Sequence, residues 1–131
     1  VITIFERAPT VEEYLLLRRS VGWRVPEAGT CEAPLARSLF SVVAHEADNG
    51  VVAMVRLVGD GLYALVADAV VIPDFQGRGL GRRLVARVVD WAERQGIQHI
   101  AVAADNTVAE FYLRGAFEDC GTRYLRLRAP K

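Results

Sequence analysis

The sequence predicts a mixed α/β domain, and three observations carry that prediction. Residues 40–72 hold three apolar runs of strand length separated by tight turns; a glycine-rich turn and a long amphipathic helix follow directly; and another apolar run, Ile97 to Ala103, comes behind the helix. At 131 residues the chain is near the usual size of one domain and long enough to bury a core, so residues 1–131 are read as a single unit.

Each element has its own signal. Ile2 and Ile4 alternate with Thr3 and Phe5 in a short first strand. Thr10 stands three residues before Glu13, a capping-box pattern, and opens a helix bearing Val11, Tyr14, Leu15 and Arg18 that should end near Gly22. Residues 22–34 read as a loop followed by a helical turn; Trp23, Arg24, Glu27 and Glu32 give it a chemical variety suited to substrate contact, the alternative being a hinge with Trp23 packed on the core. Ser41–Glu46, Val51–Val58 and Leu62–Ile72 are the three strands of an antiparallel meander, turned by Asp48-Asn49-Gly50 and Asp60-Gly61. Leu80, Leu84, Val88, Trp91 and Ala92 then recur at helical spacing, opposite a face of Arg83, Arg87, Asp90 and Arg94, until Gly96 stops the helix. After the Ile97–Ala103 strand, a shorter helix spans about Thr107 to Arg114, and Phe117–Cys120 and Arg123–Arg128 are expected to close the domain as strands. The resulting order is βααβββαβαββ.

Composition excludes several classes. No apolar run reaches membrane-spanning length, and the first residues lack a signal peptide's basic start and small-residue cleavage site, so a soluble cytoplasmic protein is expected, with no membrane partner. Cys31 and Cys120 have no metal-ligand spacing, and His45 and His99 are too few for a histidine-based centre, so no metal is expected. The 16 basic and 16 acidic residues balance overall, yet residues 75–131 carry +4 and residues 1–74 carry −4. That polarity favours a polyanionic ligand on the later half. There is no basic helix or aromatic RNA-binding signature, which argues against nucleic acid.

The chemistry centres on Phe75-Gln76-Gly77-Arg78-Gly79-Leu80-Gly81, between the third meander strand and the long helix. Three glycines at alternate positions free the backbone for φ > 0 and strip away the β-carbons that would shield its N–H groups. A helix N-terminus has unpartnered N–H groups and partial positive charge, both suited to an anion. Arg82 and Arg83 lie in the first turn, where cations oppose the dipole unless a polyanion docks beside them. The triphosphate-loop pattern G-x-x-x-x-G-K-[ST] is absent, and the third glycine comes one residue too early for the dinucleotide pattern G-x-G-x-x-G.

Gln76-Gly77-Arg78-Gly79-Leu80-Gly81 fits Q/R-x-x-G-x-G/A, with Val71-Ile72-Pro73 ahead of it. Together they resemble the central motif of the GCN5-related N-acetyltransferases, with the match of strand, V-x-P, loop and helix covering about residues 62–95. The resemblance implies that family's mixed-sheet acyl-CoA N-acyltransferase fold and transfer of an acetyl group from acetyl-CoA to an amine of a small molecule or an exposed amino group of a peptide. It implies that N–H groups from Gly77 through Arg82 hold the pyrophosphate, including those of Arg78, Gly79, Leu80 and Gly81, and that Ala69, Val70 and Val71 pair with the pantetheine arm as an added strand would. The thioester would lie where the strands ending near Val71 and Ala103 splay apart, with a backbone N–H near Val71 facing the oxyanion. Gln76 marks the motif's first position, to touch the cofactor or to close the loop. By the same resemblance Tyr112 protonates the departing thiolate, against the alternative that Phe111-Tyr112 simply packs the helix.

The segment around Tyr112 departs from the family pattern N-x-x-A-x-x-F/Y-Y-x-x-x-G-F: Asn106-Thr107-Val108-Ala109-Glu110-Phe111-Tyr112 is one residue short before the tyrosine, and Ala116 stands where glycine is usual. Asp105 or Asn106 is the candidate for a pantetheine contact, Asn106 the preferred one because an amide both donates and accepts; the alternative for either is to cap the helix. For the general base, Asp68, Glu32, His45 and a water chain stay open. A carboxylate in an apolar strand needs a partner, and Arg56 across the meander is the one expected for Asp68. A non-catalytic acyl-CoA-binding sensor is the alternative function, and a homodimer is compatible with either.

Overall fold

The computed structural model describes residues 1–129. Its elements are β1 (Ile2–Phe5), α1 (Val11–Ser20), a 3₁₀ turn (Ala28–Thr30), α2 (Glu32–Ala36), β2 (Phe40–Glu46), β3 (Gly50–Gly59), β4 (Tyr63–Val71), a second 3₁₀ turn (Pro73–Phe75), α3 (Leu80–Arg94), β5 (His99–Val102) and α4 (Ala109–Leu113). The strands form one five-stranded sheet in the order β1-β2-β3-β4-β5. Neighbours are antiparallel through β4, and β5 joins β4 in parallel after the α3 crossover.

Local chemistry sets the boundaries. Thr10 Oγ1 accepts from the Glu13 N–H while the Glu13 carboxylate accepts from the Thr10 N–H, closing the capping box of α1. Arg7 extends it by donating to Glu13, which helps hold that carboxyl below its usual range. At the other end Gly22 takes φ 77° just beyond the helix, where a residue with a β-carbon would be strained.

Each face of the sheet carries its own core. Leu84, Val88 and Ala92 of α3 are wholly buried against Val42, Val52, Val55 and Leu57, and Phe40 stacks on Trp91 at 4.7 Å. On the other face Tyr14 and Leu17 of α1 and Leu35 of α2 pack on Val43, Met54 and Val70. Fully burying one Leu or Val is worth about 1.5–3 kcal/mol, so these two layers clamp the meander from both sides.

The closing strands expected at Phe117–Cys120 and Arg123–Arg128 do not form: the described residues beyond α4 make no ladder. Tyr124, Leu125 and Leu127 are 63%, 82% and 99% exposed. Alternation specifies a face but supplies no partner, and a two-stranded hairpin without a sheet beside it is marginal in water. The described order is therefore βααβββαβα.

Candidate functional site

The site is built at the seam between β4 and β5. Their parallel pairing runs from Tyr63↔His99 to Val66↔Val102 and stops there, although β4 continues to Val71. Where pairing stops, β4 carries a bulge: the register with β3 moves from Arg56↔Ala67 to Met54↔Val70, placing one extra residue in β4. Asp68 lies in that bulge at φ 52°, the one non-glycine residue with positive φ among those described.

Beyond the bulge the ladder alternates in a readable way. The Ile72 N–H donates to the Val52 carbonyl at 3.0 Å, which makes 72 and 52 a hydrogen-bonded pair. Val71, one residue back, therefore turns its own N–H and C=O away from β3 and into the gap; by the same alternation Ala69 does so too. Val70 points its backbone at β3 and buries its side chain under α1. Of the three residues named for strand pairing, Ala69 and Val71 turn their backbone to the gap, with the Val71 carbonyl there taken by Gln76 Nε2.

The loop that follows holds a row of unpaired donors. Its backbone bonds run as far as Gln76 N–H to the Pro73 carbonyl, and resume with Arg83 N–H to the Gly79 carbonyl. The N–H groups of residues 77–82 between them make no backbone bond among the described residues. Gly77 and Gly79 both take φ 78°, and a β-carbon built on either would meet nothing within 4 Å, so the loop is uncrowded on that side of both residues. Gly81 is different: it has helical geometry, and its β-carbon would lie 3.5 Å from Val71 Cγ2 and 3.6 Å from the Phe111 ring. It brings the first turn of α3 close to β4 and α4. Leu80 is buried and offers only its backbone.

Side chains around the loop divide into struts and free cations. Gln76 Nε2 donates to the Val71 carbonyl at 2.8 Å and so ties the loop to the end of β4. Arg78 donates to the Asp74 carbonyl and lies 4.8 Å from the Phe75 ring centroid. Arg82 and Arg83 are exposed, form no ion pair among the described residues, and have no acidic neighbour in the first turn of α3.

Tyr112 of α4 is buried, with its ring edge-on to Phe111 at 5.0 Å and to Phe117 at 5.6 Å. Its hydroxyl makes no hydrogen bond among the described residues, and burial pushes its pKa above the ordinary phenol value. It lines a mostly apolar cleft of about 260 Å³ between α3 and α4, with Arg82 and Val85 on one wall and Phe111 and Phe117 on the other. The turn before α4 is capped by Asp105, whose carboxylate accepts from the N–H and hydroxyl of Thr107 and is held below its usual pKa by them. Asn106 is exposed and unengaged by any described residue.

Three candidate bases stand apart from one another. Asp68 is matched to Arg56 at 2.6 Å, as expected, and also to Arg18 at 2.8 Å and the Tyr14 hydroxyl at 2.9 Å. To accept a proton it would have to give up two ion pairs. Glu32 is exposed at the start of α2, and His45 sits beside Phe5 on β2, two strands from β4. Sequence reasoning missed Tyr14 and Arg18 as partners of Asp68. The available signal was their i, i+4 spacing, which sets two polar groups beside the inward-facing Leu17 and Val11. Trp23 belongs neither to the core nor to an open loop: it is 42% exposed, with the Arg18 guanidinium 5.3 Å from its ring centroid.

A sheet split beside a row of free amides and a glycine turn defines a fold class, and comparison with known proteins gives it a family. The model of the acetyltransferase (GNAT) family matches residues 10–117, and the chain belongs to that family. Serotonin N-acetyltransferase 2, chloroplastic, of Oryza sativa subsp. japonica is 44% identical over 62 residues, 47% of this chain and 31% of its own length. The chain thus spans about a third of that relative. The GNAT family protein SP0256 of Streptococcus pneumoniae TIGR4 superposes with a TM-score of 0.80 at 28% identity, covering 98% of this chain and 100% of that one. An aminoglycoside N-acetyltransferase, AAC(6')-Iy, solved in complex with CoA, shares the fold at TM-score 0.72 and 19% identity, with 98% and 97% of the two chains covered.

Proposed function

We propose that this protein is an acetyl-CoA-dependent N-acetyltransferase acting on a primary amine of a small molecule or on an exposed amino group. The observation that carries the reading is the row of N–H groups at residues 77–82 that make no backbone bond among the described residues, next to the split between β4 and β5. These donors and the flanking Arg82 and Arg83 suit a pyrophosphate. Ala69 and Val71 offer a strand edge of the kind an amide-bearing arm can join. Bound acetyl-CoA would supply the thioester; everything else is the work of this chain.

Amine attack on a thioester carbonyl forms a C–N bond, puts negative charge on oxygen and then breaks the C–S bond. The Val71 N–H faces the gap and is the donor for that oxygen. Tyr112 carries a phenol proton for the leaving sulfur, and burial raises its pKa above the ordinary value. The ammonium proton of the acceptor leaves through water, since Asp68 is tied to two arginines. The family's relatives support an amine acceptor: the rice protein is a serotonin N-acetyltransferase and AAC(6')-Iy an aminoglycoside N-acetyltransferase.

Calorimetry with acetyl-CoA, ATP and NAD tests the donor, and release of free thiol across an amine library tests the reaction. Binding of acetyl-CoA with amine-dependent thiol release is expected. Binding of either nucleotide without a response to acetyl-CoA would overturn the donor assignment. Binding of acetyl-CoA without thiol release from any amine would leave a sensor module in place of an enzyme.

A further inference from the structure

Asp68 and its three partners are the largest polar investment in the interior that acetyl transfer does not use. We propose that Asp68 is a positioning residue: held by Tyr14, Arg18 and Arg56, it pins the β4 bulge and thereby sets the open backbone edge of Ala69 and Val71. The proposal rests on the acetyl-CoA reading above and assigns that donor site a support on the opposite face of the sheet.

The geometry has three parts. The bulge inserts one residue into β4 between Ala67 and Val70, and β4–β5 pairing ends at the residue before Ala67. An extra residue bends its strand, raises the local twist and exchanges the two faces. That exchange puts Ala69 and Val71 on the α3 side while Asp68 and Val70 face α1. The bulge also places φ 52° at a residue with a β-carbon, a conformation that Asp and Asn tolerate better than most side chains and that still costs energy the surroundings must offset.

The carboxylate supplies that enforcement from two directions. Arg18 Nη1 reaches Oδ1 at 2.8 Å and the Tyr14 hydroxyl reaches Oδ2 at 2.9 Å, both from α1; Arg56 Nη1 reaches Oδ2 at 2.6 Å from β3. The partners are themselves held: Arg18 Nε donates to the Arg24 carbonyl and Arg56 Nε to Ser38 Oγ. Both guanidinium groups also lie 5.7 Å from the Tyr14 ring centroid. With side-chain exposures of 11% for Asp68, 11% for Arg56 and 18% for Arg18, the cluster is shielded enough for its geometry to be stiff.

The test compares acetyl-CoA affinity with thermal stability across a small set of variants. Asp68→Ala removes every anchor and leaves a strained φ; Asp68→Asn keeps a residue tolerant of that φ and an oxygen that accepts. Glu13→Gln is the control, because it weakens an ion pair and capping box remote from the seam. Asp68→Ala should weaken acetyl-CoA binding by about 10–100-fold, the scale that follows a misplacement near 1 Å, with KM for acetyl-CoA rising in step. Asp68→Asn should restore part of that loss, and Glu13→Gln should lower Tm without changing affinity. If Asp68→Ala does not fold, Tyr14→Phe and Arg18→Lys, each removing or loosening one anchor, should both weaken acetyl-CoA measurably. Wild-type affinity in folded Asp68→Ala, or in both substitutes, overturns the positioning role while leaving the donor site intact. A folded wild type that does not bind acetyl-CoA overturns the donor site, and this role with it.

Discussion

The three loop glycines look alike in sequence but should respond differently to substitution. At Gly79 the backbone is left-handed at φ 78°, and an added β-carbon meets no atom within 4 Å. Gly79→Ala therefore introduces no clash and costs about 1–2 kcal/mol in backbone strain alone. Gly79→Asp adds a carboxylate in the space proposed for pyrophosphate; two like charges about 4 Å apart repel by about 1 kcal/mol in water and about 4 kcal/mol at an effective dielectric near 20. An exposed loop lies between those limits, so acetyl-CoA affinity should fall by about 10–100-fold while the protein stays folded. Gly81 is helical, and its β-carbon would sit in ordinary contact with Val71 and Phe111. Gly81→Ala should leave affinity unchanged and stability neutral or higher by up to about 1 kcal/mol. Calorimetry for affinity and thermal denaturation for stability read both quantities on each variant. Equal affinities for wild type and folded Gly79→Asp would refute the placement of the anion at this loop, and a severe binding defect in Gly81→Ala would refute the division between the glycines.

Tyr112→Phe should leave Tm and acetyl-CoA affinity near wild type, since the hydroxyl has no described partner to lose, while turnover falls by about 10²-fold, the low end for a general acid because a thiol leaves readily; a folded variant with normal turnover would remove it from the chemistry. Burial raises Tyr112, and burial followed by the charge of Asp68 raises Tyr14, so both favour the fold while neutral. That stability is present below the unfolded phenol pKa of about 10 and is lost as pH rises through the higher folded values; denaturation between neutral and strongly alkaline pH should show Tyr112→Phe losing less than wild type. Arg82→Ala and Arg83→Ala should each weaken acetyl-CoA by less than Gly79→Asp does, and the deficit should shrink as salt rises, because both groups are exposed and screened; a salt-independent deficit would mean they act by contact instead of charge.

Features carried by neighbouring residues were legible before the fold was known. Thr10 and Glu13 announced the start of α1, and the glycine spacing announced a turn with bare amides, because both devices close within a few positions. Asp68 with Arg56 was legible for another reason: a carboxylate in an apolar strand requires a cation, and only one lay across the hairpin. The contacts from Tyr14 and Arg18 span 54 and 50 residues: their i, i+4 spacing puts two polar groups on the inward side of α1, but nothing local names Asp68 as the partner. The bulge was hidden because its left-handed position is filled by aspartate, where glycine would have advertised it. At the C-terminal end, Tyr124 to Arg128 has the alternation of a strand, but pairing depends on an edge elsewhere in space.

The single parallel contact in the sheet also has a consequence for how the molecule assembles. β2, β3 and β4 are joined by loops of a few residues, so their ladders can close early with little chain entropy lost. Tyr63 must instead find His99 across the whole of α3, and closing a loop about ten times longer costs about 2 kcal/mol more. The meander is thus the natural first unit, and the two four-pair ladders that flank it, β1–β2 and β4–β5, zip later because each joins residues far apart in sequence. What zips late opens early. Amide exchange at Ile100–Val102 should outpace exchange in β3, and a ligand lying across the seam would slow the former and leave the latter alone.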